Sequence, residues 1–366
     1  MSKEIRIING RKISKKSEVA QLNTGIFLGN ASNYYAYANE VDLYDLKTEV
    51  FGQQPVYVDP QDLNRINLYV GGMGSGKSKL GDRIIDSFPE ARMLLADPKR
   101  ERVTWAYDKD KDVIICSADK RGACLHIFDD LKKRKILINE VFKIMEKSQR
   151  GAGSGNSQNQ EWSEFMMIPV NLICDKVFTA MDNGATADNL YYVIALAYKE
   201  VEEEYAAAKN KMMESALKVA TPIINALFQM YYIGSQEKRQ WVSILDLAKY
   251  RRVFILGHPS FNATLKPINN AFLTMYAMDA MSKDDVPDDK ITENLTFWFL
   301  EEFLSGIDLD ESLLTEVVSQ CRSKGISIHM FLQTLDKEAS DKLRKLLSLI
   351  KTSRYLVSVR EDNLLK

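Results

Sequence analysis

The hydrophobic positions of this chain follow two rhythms. Short apolar runs, bounded by glycine, proline or charge, recur at INLYV (66–70), ARMLLAD (91–97), DVIICSA (112–118), RRVFILG (251–257), NLTFWFLEEF (294–303), ISIHMFLQ (326–333) and SRYLVSVR (353–360). Runs that are apolar at successive positions read as strands buried on both faces of a sheet. Between them lie segments with apolar residues three and four apart: Leu80, Ile84 and Ile85 after the first run, then 264–281, 311–323 and 338–350. That spacing predicts helices. Strands alternating with helices predict an α/β fold with a mostly parallel sheet.

Two stretches break the alternation. Residues 1–65 carry only short β-like runs among polar loops, EIRIING, TGIFLG and QPVYVD, and read as a small β-rich antiparallel lead-in. Residues 151–250 are almost wholly helical in pattern, rich in Leu, Ala, Met and Glu. They are entered through RGAGSGNSQNQ (150–160), which has the composition of a flexible loop. The expected organisation is therefore a lead-in (1–65), a core assembled from 66–150 and 251–366, and an all-helical inserted domain (151–250). A chain of 366 residues accommodates these parts.

The chemistry begins where the first strand ends. Gly71-Gly72-Met73-Gly74-Ser75-Gly76-Lys77-Ser78 fits the phosphate-loop pattern G-x-x-x-x-G-K-[ST] in full. The glycines let backbone N–H groups turn inward around phosphate oxygens, and the following helix aims its positive end at the same anion. Lys77 is expected on the β- and γ-phosphates of ATP, and Ser78 on Mg²⁺.

A second constellation sits at the end of FWFL. Glu301 is expected to hold the magnesium shell and Glu302 to polarise the attacking water, which implies hydrolysis. Gln333, at the end of a later strand, is placed to sense the γ-phosphate or orient water, with strand-end capping as the alternative. Arg322 lies at the end of a helix, on the rim. In a ring of subunits it would reach a neighbour's ATP as an arginine finger; otherwise it is an ordinary exposed arginine.

Composition narrows the classes further. Forty-nine basic against 50 acidic residues give a net charge of −1, so no global bias announces a nucleic-acid partner, although LKKRK (131–135) and DKLRKLLSLIKTSR (341–354) are local candidates. Cys116, Cys124, Cys174 and Cys321, with His126, His258 and His329, form no zinc-ligand spacing and read as free thiols and packing residues. The N-terminus is too polar for a signal peptide, and no uninterrupted apolar run reaches about 18 residues. The expected location is cytoplasmic, or peripheral at the inner face of the cell membrane through partner proteins.

Taken in order, these segments resemble the conjugative type IV coupling proteins, the TraD/TraG-like branch of the FtsK/HerA motor ATPases. The resemblance covers most of the chain: the phosphate loop, ADPKRE, LHIFDDL, EWSEFMMIPVNLI, LKPINNAFL, FLEEF with Phe303, and CRSKGISIHMFLQTLDK. It implies a RecA-like P-loop ATPase core in a hexameric ring that hydrolyses ATP with Mg²⁺ to move DNA or a DNA–protein complex toward a secretion channel. The helical domain would engage a relaxase or secreted protein. Gly71, Gly76, Lys77, Ser78, Glu301, Glu302 and Gln333 would form the nucleotide site, with Arg322 acting in trans. Two departures stand out. Glu301 replaces the usual aspartate, and the two membrane-spanning helices with which the family normally begins are missing here, so an anchor is expected from another subunit unless the relative is soluble. A genome-packaging ATPase of the same superfamily and an ATP-gated cargo receptor share these motifs.

Overall fold

The computed structural model describes residues 26–31, 54–58, 66–71, 77–115, 119–134, 137–150, 157–256, 262–287, 290, 295–301, 311–332 and 354–358. Before the main sheet, β1 (Ile26–Ala31) and β2 (Gln54–Val58) pair antiparallel with a bulge near Phe27 and Gly29. The phosphate-loop segment then gives β3 (Ile66–Gly71), α1 (Lys77–Ser87) and β4 (Arg92–Asp97). A one-turn helix α2 (Val103–Ala106), β5 (Val113–Ile115), the two-residue strand β6 (Cys124–Leu125) and α3 (Ile127–Lys133) follow. Four long helices come next: α4 (Leu137–Arg150), α5 (Ser157–Asp182), α6 (Leu190–Ala207) and α7 (Lys211–Gln236). The chain returns through β7 (Trp241–Val242) and a 3₁₀ turn, Ile244–Lys249, to β8 (Arg252–Leu256) and α8 (Asn262–Met281). It finishes with β9 (Thr296–Glu301), α9 (Glu311–Gln320), β10 (Ile326–Leu332) and β11 (Arg354–Ser358).

Seven of these strands form one sheet in the order β11-β3-β10-β9-β4-β8-β5, and every pairing in it is parallel. This is the α/β architecture the alternation predicts. Strands β4, β8, β9 and β10 are buried almost end to end, as a sheet covered on both faces requires. Successive side chains serve opposite faces. Leu94, Trp298, Leu300, Ile328 and Met330 join the larger apolar cluster, shared with α3 to α8. Met93, Leu95, Phe297, Phe299 and Phe331 join the smaller one, capped by Ile84 and Ile85 of α1 and by Val103 and Ala106 of α2.

The helical segment is entered and left at one place. β6 and β7 pair in parallel, Cys124 opposite Trp241 and Leu125 opposite Val242, and so hold the outgoing and returning chain side by side. The indole of Trp241 stacks on Tyr231 at 5.0 Å and occupies the space that any side chain at Gly234 would need. The Tyr231 hydroxyl accepts the N–H of Phe128 at 3.1 Å.

Two local expectations change. Residues 157–160 of the Gly/Ser/Asn/Gln stretch belong to the first turn of α5, while 151–156 lie outside the described residues. Ser, Asn and Gln suit a helix start as well as a loop, so composition alone did not separate the two. Residues 241–249 are the strand β7 and a 3₁₀ turn instead of helix, because Trp241 and Val242 are taken up by pairing with β6. The helix read at 338–350 and the strand ends beyond Ile115 and Leu332 lie outside the described residues.

Candidate nucleotide site

Ligands of open α/β sheets sit at the C-terminal strand ends. β3 ends there at Gly71, and α1 starts at Lys77. Gly72, Met73, Gly74, Ser75 and Gly76, which join them, lie outside the described residues. Lys77 and Ser78 form the first turn of α1, where backbone N–H groups lack helical partners and the dipole is positive. No acidic residue in that turn offsets it.

Glu301 closes β9 on the same edge. β10 lies between β3 and β9, with Leu332 level with Val70 and Phe331 level with Glu301. Two strand spacings therefore separate Gly71's strand from the carboxylate's strand, about 10 Å. Gln333 directly follows Leu332, and Glu302 directly follows Glu301; both lie outside the described residues.

The third contributor is the end of β4. Asp97 is fully buried, and its carboxylate accepts the backbone N–H groups of Glu101 (3.0 Å), Arg102 (2.8 Å) and Val103 (3.0 Å). This pins the turn Pro98–Arg102, with Arg100 in the left-handed region at φ 62°. The turn brings Lys99 close to Lys77. Burial lowers the Lys77 pKa, and the charge of Lys99 lowers it further, while Glu301 opposes both. Burial also raises the Glu301 pKa, an effect partly offset by Arg102.

Arg102 is the residue that sequence reasoning missed. Its guanidinium is 2% exposed and lies between two carboxylates. Nε donates to Asp82 Oδ1 of α1 at 3.3 Å, and Nη2 stands 2.8 Å from Glu301 Oε1. The second contact is ionic but off the line of a hydrogen bond, and Nη1 has no hydrogen-bond partner among the described residues. Below the guanidinium lie the rings of Phe299 and Phe331, at 5.4 and 5.1 Å. A side chain at Gly81 would stand 2.5 Å from Nη2, so glycine there makes the room Arg102 needs. The only hint in the sequence is the longer carboxylate at 301, which calls for a counter-charge.

Under this floor His329 is fully buried, its Nδ1 2.8 Å from the Tyr69 hydroxyl and its Nε2 2.9 Å from Ser327 Oγ. Burial, reinforced by the nearby Arg102 charge, lowers its pKa to about 3 and keeps the ring neutral. It is a packing residue, as its place within a strand suggested.

Arg322 lies elsewhere. It is exposed in the turn between α9 and β10, at the N-terminal end of the sheet. The length of β10, about 20 Å, separates it from this chain's own phosphate edge. In LKKRK, Lys132 pairs with Asp182, Lys133 with Asp129 and Arg134 with Asp279. Lys135 and most of 341–354 lie outside the described residues.

Two lysines and a helix N-terminus thus converge beside a buried carboxylate and a serine hydroxyl. That donor set suits a polyphosphate carrying a divalent cation. Over residues 58–355 the chain matches the type IV secretion-system coupling protein DNA-binding domain. It belongs to that family. Solved structures agree with the coupling-protein fold. The bacterial conjugative coupling protein TrwBdeltaN70, in its unbound monoclinic form, superposes with a TM-score of 0.59 at 14% identity, covering 93% of this chain and 73% of that one. Plasmid coupling protein TrwB in complex with ADP and Mg²⁺ gives 0.57 at 15% identity, covering 82% and 72%. VirB4 of Thermoanaerobacter pseudethanolicus gives 0.51 at 12% identity, covering 92% and 84%. At these identities the likeness is one of fold. A search of curated proteins finds no match. Among the described residues, no helix of this coupling protein is long and apolar enough to cross a membrane.

Proposed function

We propose that this coupling-protein chain is an ATP-hydrolysing motor that binds MgATP and moves DNA, or DNA with attached protein, as a hexameric ring of identical subunits. The observation that carries the reading is the meeting of Lys77 and Ser78 with Glu301 on one edge of the parallel sheet. Gly71, Gly72, Met73, Gly74, Ser75 and Gly76 would wrap the phosphates with backbone N–H groups, and Lys77 would balance their charge. Bound Mg²⁺ would neutralise charge developing on the β- and γ-oxygens, with Ser78 and Glu301 holding it. Glu302 would accept the proton of the attacking water, and Gln333 would orient that water or report the γ-phosphate.

Arg322 stands a strand length from its own phosphate edge, which suits a role toward a neighbour's nucleotide and hence a ring. TrwB has been solved in complex with ADP and Mg²⁺ and with a non-hydrolysable ATP analogue, which supports MgATP as the fuel here. The matched family is described as a DNA-binding domain, which supports DNA as cargo. The domain division at 65, 150 and 250 belongs to this proposal, with the helical domain offered to a relaxase or secreted protein and any membrane attachment made through partners.

The test is the ATPase rate with and without DNA, alongside particle mass with nucleotide bound. DNA should raise the rate, and the mass should be a multiple of the single chain. A monomer whose hydrolysis ignores DNA would sink the motor reading.

A further inference from the structure

We propose that Arg102 is a positioning residue that ties the carboxylate of Glu301 to the phosphate-loop helix through Asp82, and thereby sets where Glu301 meets the nucleotide's Mg²⁺. The inference rests on the MgATP reading above and deepens it.

Three independent features converge on this one guanidinium. The first is its two-ended contact. Asp82 lies one turn past Ser78 on α1, and Glu301 ends β9, so a single rigid plane spans the two elements that must hold one Mg²⁺–nucleotide. Arginine is the residue for such a span, because its planar fork presents donors in fixed directions, whereas lysine offers a point charge. The second is that the surroundings are shaped for it. Gly81 clears its path, Phe299 and Phe331 support its face, and the Asp97 carboxylate fixes the backbone from which it projects. The third is that its contacts stop short of saturation. Nη1 is buried without a hydrogen-bond partner among the described residues, and Nη2 meets Glu301 off-axis.

An open contact is not by itself a site, since buried Arg252 also leaves Nε without a partner among the described residues; what singles out Arg102 is the pair of elements it spans. It engages Oε1 of Glu301, and among the described residues Oε2 has no ion pair of its own. The identity of residue 301 supplies the chemical reason. Glutamate has one more rotatable bond than aspartate, so a magnesium-side carboxylate of that length needs an outside restraint to keep one direction. Arg102 supplies it, and through Asp82 it makes the direction depend on the position of α1. Arg102 and Glu301 are then a matched pair.

The experiment titrates a fluorescent non-hydrolysable ATP analogue into the whole chain, once with Mg²⁺ and once with EDTA. The ratio of the two affinities is the readout. In the wild type Mg²⁺ should tighten binding. Arg102→Gln should cut that gain about tenfold, while binding in EDTA, which depends on Lys77 and the loop, stays within about twofold. Arg102→Lys should not restore the gain, since an ammonium cannot reach Asp82 and Glu301 together. In a Glu301→Asp background the shorter carboxylate falls out of reach, so adding Arg102→Gln should change little. A gain that Arg102→Gln leaves intact overturns the inference, as does a loss that is the same in both backgrounds. If Arg102→Gln does not fold, Asp82→Asn tests the same link from its half-exposed end. It should lower the Mg²⁺ gain about threefold, and an unchanged gain overturns the inference. A wild-type chain that binds the analogue equally in both buffers overturns it too. A wild type that binds in neither overturns the MgATP reading and this inference with it.

Discussion

Arginines at the two ends of the parallel sheet are finished differently. At the N-terminal end, Arg251 grips Asp112 with two hydrogen bonds of 2.9 Å and gives a third to the Pro89 carbonyl at 3.2 Å. Its neighbour Arg252 donates to the carbonyls of Ala106 and Pro89, while its Nε has no partner among the described residues. At the C-terminal end, Arg102 has a long bond to Asp82, an off-axis contact with Glu301 and one nitrogen without a partner. Arg251 closes all of its contacts, Arg252 all but one, and Arg102 closes only one. An unfinished contact bears on a ligand where it faces the phosphate edge, as that of Arg102 does.

The sharpest break of this contrast is Lys77→Ala at the open end. It should leave the fold intact but lower ATP turnover by at least about a hundredfold, since the phosphate charge loses its main partner. Steady-state hydrolysis by a variant with wild-type circular dichroism decides it. At the closed end Asp112→Ala should do the reverse. Losing the Asp112 carboxylate should cost roughly 1–2 kcal/mol of stability, since Arg251 keeps the Pro89 carbonyl and the 3.6 Å ion pair with Glu90. In urea melts this appears as a lower midpoint, while nucleotide affinity of the folded fraction stays the same. A stability loss from Lys77→Ala larger than that from Asp112→Ala would erase the distinction.

The strands are legible because a sheet covered on both faces forces apolar residues at consecutive positions, as in TFWFL and ISIHMFL, and helices rarely look so. Lys77 and Ser78 are legible because a phosphate loop needs its residues adjacent in sequence. Arg102 is not legible, because its partners stand 20 residues before it and 199 after it, at Asp82 and Glu301. Only tertiary packing brings them together. The same reason hides β7, whose strand state depends on Cys124 and Leu125 far upstream. Arg322 is visible as an arginine near a helix end, but its distance from the phosphate edge follows only from the direction of β10.

A third buried charge separates incomplete satisfaction from proximity to the phosphate edge. Asp130 of α3 is 3% exposed, and both of its oxygens face one donor, the N–H of Ile244, at 3.1 and 3.0 Å. Burial raises its pKa to about 7 from an ordinary 3.8. Between those values the folded chain binds more protons than the unfolded one, so this group's contribution to stability is greatest at low pH. It falls as pH rises to about 7 and is flat above. Asp130→Asn should therefore be more stable than the wild type at pH 8, by roughly 1–2 kcal/mol, with the difference shrinking toward pH 4. Thermal melts at both pH values check it. Nucleotide affinity should not move, because the strained carboxylate is a cost of packing α3 against the 3₁₀ turn.

The smallest expected effect tests the open end itself. Lys99 is exposed, and its charge acts on Lys77 in the direction that lowers the latter's pKa. Two effects of removing it oppose each other. Lys99→Ala relieves Lys77 of a like charge, which favours the protonated lysine, but it also takes one positive charge away from the phosphates. The second effect wins, because the multiply charged phosphates are the stronger partner of the lost cation. Nucleotide binding should weaken about threefold at low salt, and the loss should shrink as salt screens the exposed charge. Affinity measured across a salt series checks both. A variant that binds more tightly, or whose loss ignores salt, would mean that Lys99 acts through the Asp97 turn and not through its charge.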